Sequence, residues 1–137
     1  MTNEGGDNTE SIGIAAVEAS FQSQATAIVV ITTSGKSAQA IAKYRPACPI
    51  IAVTRNPITA RQAHLWRGIF PYMAKTPKPE GLNTGEAWMD DVEARIKTAM
   101  DSCEALGIVH KGGNMVVVTG WRGGSGYTNT MRIIKCE

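Results

Sequence analysis

Ala27-Ile-Val-Val-Ile31-Thr-Thr-Ser-Gly-Lys-Ser37 is the stretch whose reading decides the architecture. Its first five residues are apolar and mostly β-branched. They do not alternate with polar residues, which predicts a short strand covered on both faces. The hydroxyls, Gly35 and Lys36 then break the run and open a helix predicted over Ser37 to Tyr44, with Ala38, Ile41 and Ala42 as its inward stripe. A buried strand feeding straight into a helix begins a β-α-β unit, and such units build sheets that are mainly parallel.

The pattern repeats toward the C-terminus. Pro46 and Pro49 bracket the connection to a second buried run, Ile50-Ile-Ala-Val53. Asn56-Pro57 signals a helix start, since proline suits the first helical turn. That helix is predicted over Ile58 to Trp66, followed by a short strand at Gly68 to Ala74. Thr76 to Gly85, rich in Pro and Gly, reads as a loop. Glu86 to Leu106 is a long amphipathic helix, with Trp88, Val92, Ile96, Ala99, Met100 and Cys103 toward one face and Gly107 as its C-cap. Met115-Val-Val-Val-Thr119 is the fourth strand, Gly120 to Gly126 a glycine-rich loop, and Thr130 to Cys136 an edge strand that carries Arg132 and Lys135. Toward the N-terminus, Thr9 to Phe21 is predicted helical, with Ile14, Val17 and Phe21 on one buried face. Residues 1–9 read as a flexible leader and 10–137 as one folded domain. Strands separated by helices return in the same direction, and the last, after a short loop, runs antiparallel. The class is therefore α/β, with helices on both faces of the sheet.

Composition bounds the function. At 137 residues the chain is too short for a TIM barrel, which needs roughly 250. No apolar run approaches the about 18 residues of a membrane span. Met1 to Ser11 is polar and acidic, so no signal peptide is expected. Cys48, Cys103 and Cys136 show no Cys-x-x-Cys spacing, which points to reduced thiols and a cytoplasmic chain. His64 and His110 are far apart and no metal cluster stands out. His64 is expected as a hydrogen-bonded core or interface residue. The net charge of +2 hides an asymmetry: between Glu18 and Glu80 there is no acidic residue, while Lys36, Lys43, Arg45, Arg55, Arg61, Arg67, Lys75 and Lys78 fall there. Either the acidic helix near residue 90 neutralises this half, or the half serves an anion. Nucleic acid is not expected, because basic and aromatic residues do not interleave.

Three clusters bear on chemistry. In the first, Thr32, Thr33, Ser34, Gly35, Lys36 and Ser37 join a strand to a helix N-terminus, where free backbone N–H groups favour an anion. They read as a phosphate cradle or as a hydroxyl cap without ligand, and the residues alone leave both open. A P-loop is excluded, because Val30 stands where that motif requires glycine. A small phosphatase or NTPase is accordingly disfavoured. In the second, Thr119 to Tyr127, the residues Trp121, Arg122, Gly124, Ser125, Gly126 and Tyr127 offer an apolar platform and a guanidinium fork, and the stretch reads as a functional loop or as a plain connection between strands four and five, its length favouring function. Third, Trp88 and Arg95 lie two turns apart on the long helix, but the residues alone read as a core tryptophan and a solvated or paired arginine, and spacing does not choose them. No nucleophile–base pair or carboxylate dyad appears, so no catalytic residue is assigned. Asp90 and Asp91 are adjacent and face apart. Arg45 and Arg55 read as exposed, as interface anchors or solvated ends.

Taken in order, Val17-Glu-Ala-Ser20, Thr32-Thr-Ser-Gly-Lys-Ser-Ala38, Tyr44-Arg-Pro46, Pro49-Ile-Ile-Ala-Val-Thr-Arg55, Ala60-Arg-Gln-Ala-His64, Arg67-Gly-Ile-Phe-Pro71, Thr119-Gly-Trp-Arg122 and Gly124-Ser-Gly-Tyr-Thr-Asn-Thr130 resemble the C-terminal domain of pyruvate kinase, animal-type enzymes most. The resemblance runs from about Thr9 to the end. It implies a three-layer α/β/α sandwich with a five-stranded mixed sheet, the last strand antiparallel. It also implies a regulatory role in a glycolytic phosphotransferase that moves a phosphoryl group from phosphoenolpyruvate to ADP. In that role the domain binds fructose 1,6-bisphosphate or a similar sugar phosphate and meets other subunits of an oligomer. By position, Thr32 to Ser37 resemble the loop holding one phosphate, Trp88 and Arg95 the pair holding the other, and Trp121 to Gly126 the loop closing over the sugar.

Departures are visible. Lys36 stands where many relatives carry arginine, replacing a fork by a point charge. Thr33 is neutral where an unregulated isoform is acidic. Gly123 replaces a frequent proline, raising the ordering cost of the loop. Thr76 to Gly85 is longer than in most relatives. The family's catalytic barrel, with its magnesium and potassium sites, has no counterpart in this sequence. The isolated chain is therefore expected to be inactive and to hold no cofactor. A ligand-free interaction module is the alternative.

Overall fold

The structure is a computed structural model and describes residues 9–32, 35–66, 68–73, 85–107, 109, 112–120 and 128–135. Helix α1 spans Thr9–Gln22, β1 Ala27–Ile31, α2 Lys36–Lys43, β2 Ile50–Thr54 and α3 Pro57–Ala63. Then come β3 at Ile69–Met73, α4 at Gly85–Ala105, β4 at Asn114–Gly120 and β5 at Thr128–Lys135. All nine elements fall where the sequence pattern predicts them, with boundaries shifted by at most three residues, the largest at the end of α3, which stops at Ala63 and not Trp66.

The strands form one sheet in the order β3-β2-β1-β4-β5. Strands β1, β2, β3 and β4 are parallel, and β5 pairs antiparallel with β4. In register, Val29 lies between Ile51 and Val117, so β-branched side chains stack across the three central strands. Because side chains alternate along a strand, each run divides between two cores. Val29, Ile31, Ile51, Val53, Met115 and Val117 pack on one face against Val92, Ile96, Ala99 and Cys103 of α4. On the other face Ile28, Val30, Ile50, Ala52, Val116 and Val118 pack against α1, α2 and α3. The uninterrupted apolarity of Ala27–Ile31 has this cause: both of its faces are dry.

Local chemistry sets the ends. The Asn56 side-chain oxygen accepts from the Ile58 and Thr59 N–H groups, and Pro57 occupies the first helical turn of α3. Gly107, with φ +77°, closes α4 as expected of a C-cap. Helices α1 and α2 approach closely at Gly13, where a Cβ atom would stand 3.4 Å from the backbone of Ala40.

Three expectations change. In α1, Val17 is buried, but Ile14 is 45% and Phe21 50% exposed, so the inner face of the helix runs through Ala16, Val17 and Ser20. The spacing of Ile14 and Phe21 was helical, but their stripe is rotated off the sheet. His64 ends α3 and is exposed, not a core histidine. Arg55 is mostly buried, for a reason given below.

The topology has one consequence for function. From β1 the chain steps outward through β2 to β3, then returns by α4 on the opposite face to β4 on β1's other side. The order reverses between β1 and β4, and open α/β sheets bind ligands outside the carboxyl ends of strands at such a switch point.

Removing a branched side chain from the dry interior tests the two-sided core. Ile51→Ala is expected to lower stability by about 2–5 kcal/mol in urea denaturation. Ile133→Ala, on the half-exposed edge strand, is expected to stay within about 0.5 kcal/mol.

Candidate functional site

The first candidate cluster begins where β1 ends. Thr32 is buried, and its N–H donates to the Val53 carbonyl at 3.0 Å, holding it beside the carboxyl end of β2. Its hydroxyl oxygen accepts from the Gly35 N–H at 2.9 Å, which closes the turn. Gly35 is the N-cap of α2 at φ +85°, a conformation that side chains oppose. Its carbonyl accepts from the Gln39 N–H and starts the helix. Gly35 itself brings no side-chain oxygen to the cap, and the nearest hydroxyl bond is the one from its N–H to Thr32. Ser37 is buried in the first turn, whereas Lys36 is exposed. Thr33 and Ser34 lie outside the described residues.

Arg95 sits in α4 and is buried, with only 7% of its side chain exposed. Burial pulls its guanidinium below the ordinary arginine range, and the Asp91 carboxylate opposes that shift. The group nevertheless stays charged. Arg95 Nη2 lies 3.1 Å from Asp91 Oδ2, one turn back along the helix. Asp91 also receives Arg55 as a fork, with Nη2 2.6 Å from Oδ1 and Nη1 2.9 Å from Oδ2. Such bidentate pairs are short and strong because both partners are charged and planar. Arg55 is the residue just beyond β2. The route from the Thr32 turn to Arg95 therefore runs through Val53, Arg55 and Asp91, all at the carboxyl end of the sheet.

The candidates are thus partly gathered. Thr32, Gly35, Lys36, Ser37 and Arg95 share this end. Gly120, the last residue of β4, brings the start of the glycine-rich loop to the same end, since Val118 pairs with Val30. Trp121, Arg122, Gly124, Ser125, Gly126 and Tyr127 lie outside the described residues. Trp88 belongs to α4, but its side chain also lies outside them.

Sequence reasoning missed Asp91 and Arg55. The spacing of Asp91 and Arg95 was a readable signal, since such pairs meet on a helix. Nothing in the sequence linked Arg55 to them, because that contact depends on α4 crossing the end of β2. It also missed Thr54 and Thr59, which are buried near the same rim. Part of the acid-free half is neutralised as the first reading had it: Arg55 pairs with the acidic helix.

Elsewhere, a recess of about 570 Å3 runs along the outer side of α2, lined by Glu10, Lys36, Gln39, Lys43, Arg45 and Trp66. Lys43 pairs there with Glu10 at 2.8 Å. Among the described residues no group of three His, Cys, Asp or Glu is placed to hold a metal ion. Cys48 is a half-buried thiol, and burial pushes it up, away from the reactive thiolate. No helix among the described residues is long and apolar enough to cross a membrane.

Gly35 gives this geometry its test. A Cβ there would meet the Thr59 methyl group at 3.2 Å in addition to the strain of positive φ. Gly35→Ala is expected to cost about 1–2 kcal/mol in chemical denaturation, a cost set by the left-handed backbone.

Comparison with known proteins agrees with the topology. Residues 10–134 match the family described as pyruvate kinase, alpha/beta domain. Human pyruvate kinase PKLR is 48% identical over 128 residues, 93% of this chain and 21% of the human protein. The Hypocrea jecorina pyruvate kinase is 45% identical over 128 residues, with 93% and 23% covered. Saccharomyces cerevisiae pyruvate kinase 1 is 42% identical over 126 residues, with 91% and 24% covered. The chain thus spans about a fifth to a quarter of the length of these relatives. A mixed sheet in the order β3-β2-β1-β4-β5, clad on both faces, and a family match across nearly all of it lead to one conclusion: the chain belongs to the pyruvate kinase alpha/beta domain family.

Proposed function

We propose that this domain binds fructose 1,6-bisphosphate or a similar sugar bisphosphate as an allosteric effector and forms a subunit contact in an oligomeric pyruvate kinase. The observation that carries the reading is the shared location of the Thr32–Ser37 turn and Arg95 at the carboxyl end of the sheet. A doubly charged metabolite needs two separated anion sites. The turn offers hydroxyls and the N-terminus of α2, and Arg95 offers a guanidinium whose charge counts for more because it is shielded from water. Trp88, Trp121, Arg122, Gly124, Ser125, Gly126 and Tyr127 complete the site in this reading, as the family resemblance implies. Phosphoryl transfer from phosphoenolpyruvate to ADP, with magnesium and potassium, belongs to a barrel outside this sequence. Effector binding raises substrate affinity there only if the effector binds the two states of the oligomer unequally.

A second reading, a ligand-free interaction module, draws on the exposed apolar side chains around α3 and β3. Leu65 is 83% exposed, and Trp66 and Phe70 are close to half exposed. A protein that self-associates with concentration and gives no effector response on gel filtration favours this reading.

Calorimetric titration with fructose 1,6-bisphosphate, alongside tryptophan fluorescence, is expected to show saturable binding at or below millimolar ligand. Arg95→Ala is expected to weaken it by roughly 10- to 100-fold, the worth of one hydrogen bond to a charged group. A parent protein without saturable heat rules the effector reading out. The chain alone is expected to form no pyruvate from phosphoenolpyruvate and ADP in a coupled assay.

A further inference from the structure

Arg55 has no part in the candidate site as read from the sequence, yet it holds the carboxylate that Arg95 leans on. Asp91 Oδ2 lies 2.9 Å from Arg55 Nη1 and 3.1 Å from Arg95 Nη2, and Asp91 Oδ1 lies 2.6 Å from Arg55 Nη2. All three side chains are largely shielded, at 19%, 9% and 7% exposure for Arg55, Asp91 and Arg95. Arg55 comes from the loop after β2, and the other two from α4. The cluster therefore fastens the helix to the sheet end beside the Thr32 turn.

We propose that Arg55 and Asp91 are positioning residues. Arg55 grips Asp91 by both oxygens, and Asp91 so held fixes the guanidinium of Arg95 in the orientation that meets an anionic ligand. An arginine side chain has many rotamers, and freezing one on binding is costly. A fork locked to a neighbouring loop removes that cost before the ligand arrives. A single helical Asp–Arg pair leaves the aspartate free to change rotamer. The second arginine, entering from a different element, takes that freedom away.

The joint predicts a sign that simple electrostatics reverses. Asp91 is an anion beside an anion site, so if charge alone mattered, Asp91→Asn would tighten phosphate binding. If orientation matters more, Asp91→Asn weakens it. The proposal commits to weakening.

The joint's effect on ligand affinity rests on the effector reading above, but its effect on Arg95 does not. The experiment therefore has two arms on the full chain. In the first, nitrogen-15 relaxation of the arginine Nε–Hε groups is measured without ligand. Arg95 is expected to be ordered in the parent and to fall below an order parameter of about 0.6 in Arg55→Ala, with the backbone of α4 unchanged. Arg55→Lys keeps the charge but loses the fork, and is expected to loosen Arg95 as well. It also serves if Arg55→Ala does not fold. An Arg95 group that stays ordered in the folded variants overturns the proposal.

In the second arm, fructose 1,6-bisphosphate affinity is expected to fall roughly three- to tenfold in Arg55→Ala and in Asp91→Asn, the ordering cost of one long side chain. Their double variant is expected to lose little more, since both act through one joint. Unchanged or tighter binding in Asp91→Asn overturns the proposal. If the parent binds no sugar bisphosphate, the effector reading falls, and the relaxation arm still decides whether the joint exists.

Discussion

A parallel sheet must be covered on both faces, and this constraint organises the whole domain. A strand joined to its neighbour through a helix cannot leave one face to water, because the crossover itself lies on a face. The central strand β1 meets the requirement with five buried apolar residues, of which Val29 and Ile31 face α4 while Ile28 and Val30 face the opposite helical layer. The helices supply small residues where they must come close, as with Gly13 against Ala40, and branched ones where volume must be filled. The antiparallel β5 needs less shielding because it stands at the edge, and it carries Arg132 paired to Glu93 of α4 at 2.6 Å.

The same constraint places the candidate residues. Two crossovers on one face and the return on the other split the helical layers at the β1–β4 boundary. There the backbone of β1 turns through Thr32 and Gly35 into α2. The acidic helix, passing the end of β2, meets Arg55 and orders Arg95 alongside. Of the acid-free half, Arg55 finds its partner here, on a carboxylate that also lies 3.1 Å from the Arg95 guanidinium. A buried ion cluster of this kind contributes little certain stability, since desolvation opposes the attraction. Its consequence is geometric: it holds a long side chain in place.

The relatives are several times longer than this chain, so the domain is one part of a larger design in those proteins. Leu65, Trp66 and Phe70 around α3 and β3 are exposed beside the edge strand β3, and Trp66 lines the same recess as Lys36.

The sequence by itself determined the class, the order of elements and most of the ends. Unbroken β-branched runs, the Asn56-Pro57 start and the Gly107 stop are local signals, and their physics is complete within a few residues. The motif series from Val17 to Thr130 carried the family, and the place of Thr32–Ser37 between a strand and a helix was legible because the polar break after β1 is local. The Trp121–Tyr127 loop was legible only as composition. Tertiary structure decided what no local pattern holds. It rotated Ile14 and Phe21 off the core and left His64 in solvent. It also drew Arg55 to Asp91 across thirty-six positions of chain. Helical periodicity says that a face exists but not which neighbour it meets, and a charge finds its partner only when topology brings two distant segments to the same end of a sheet.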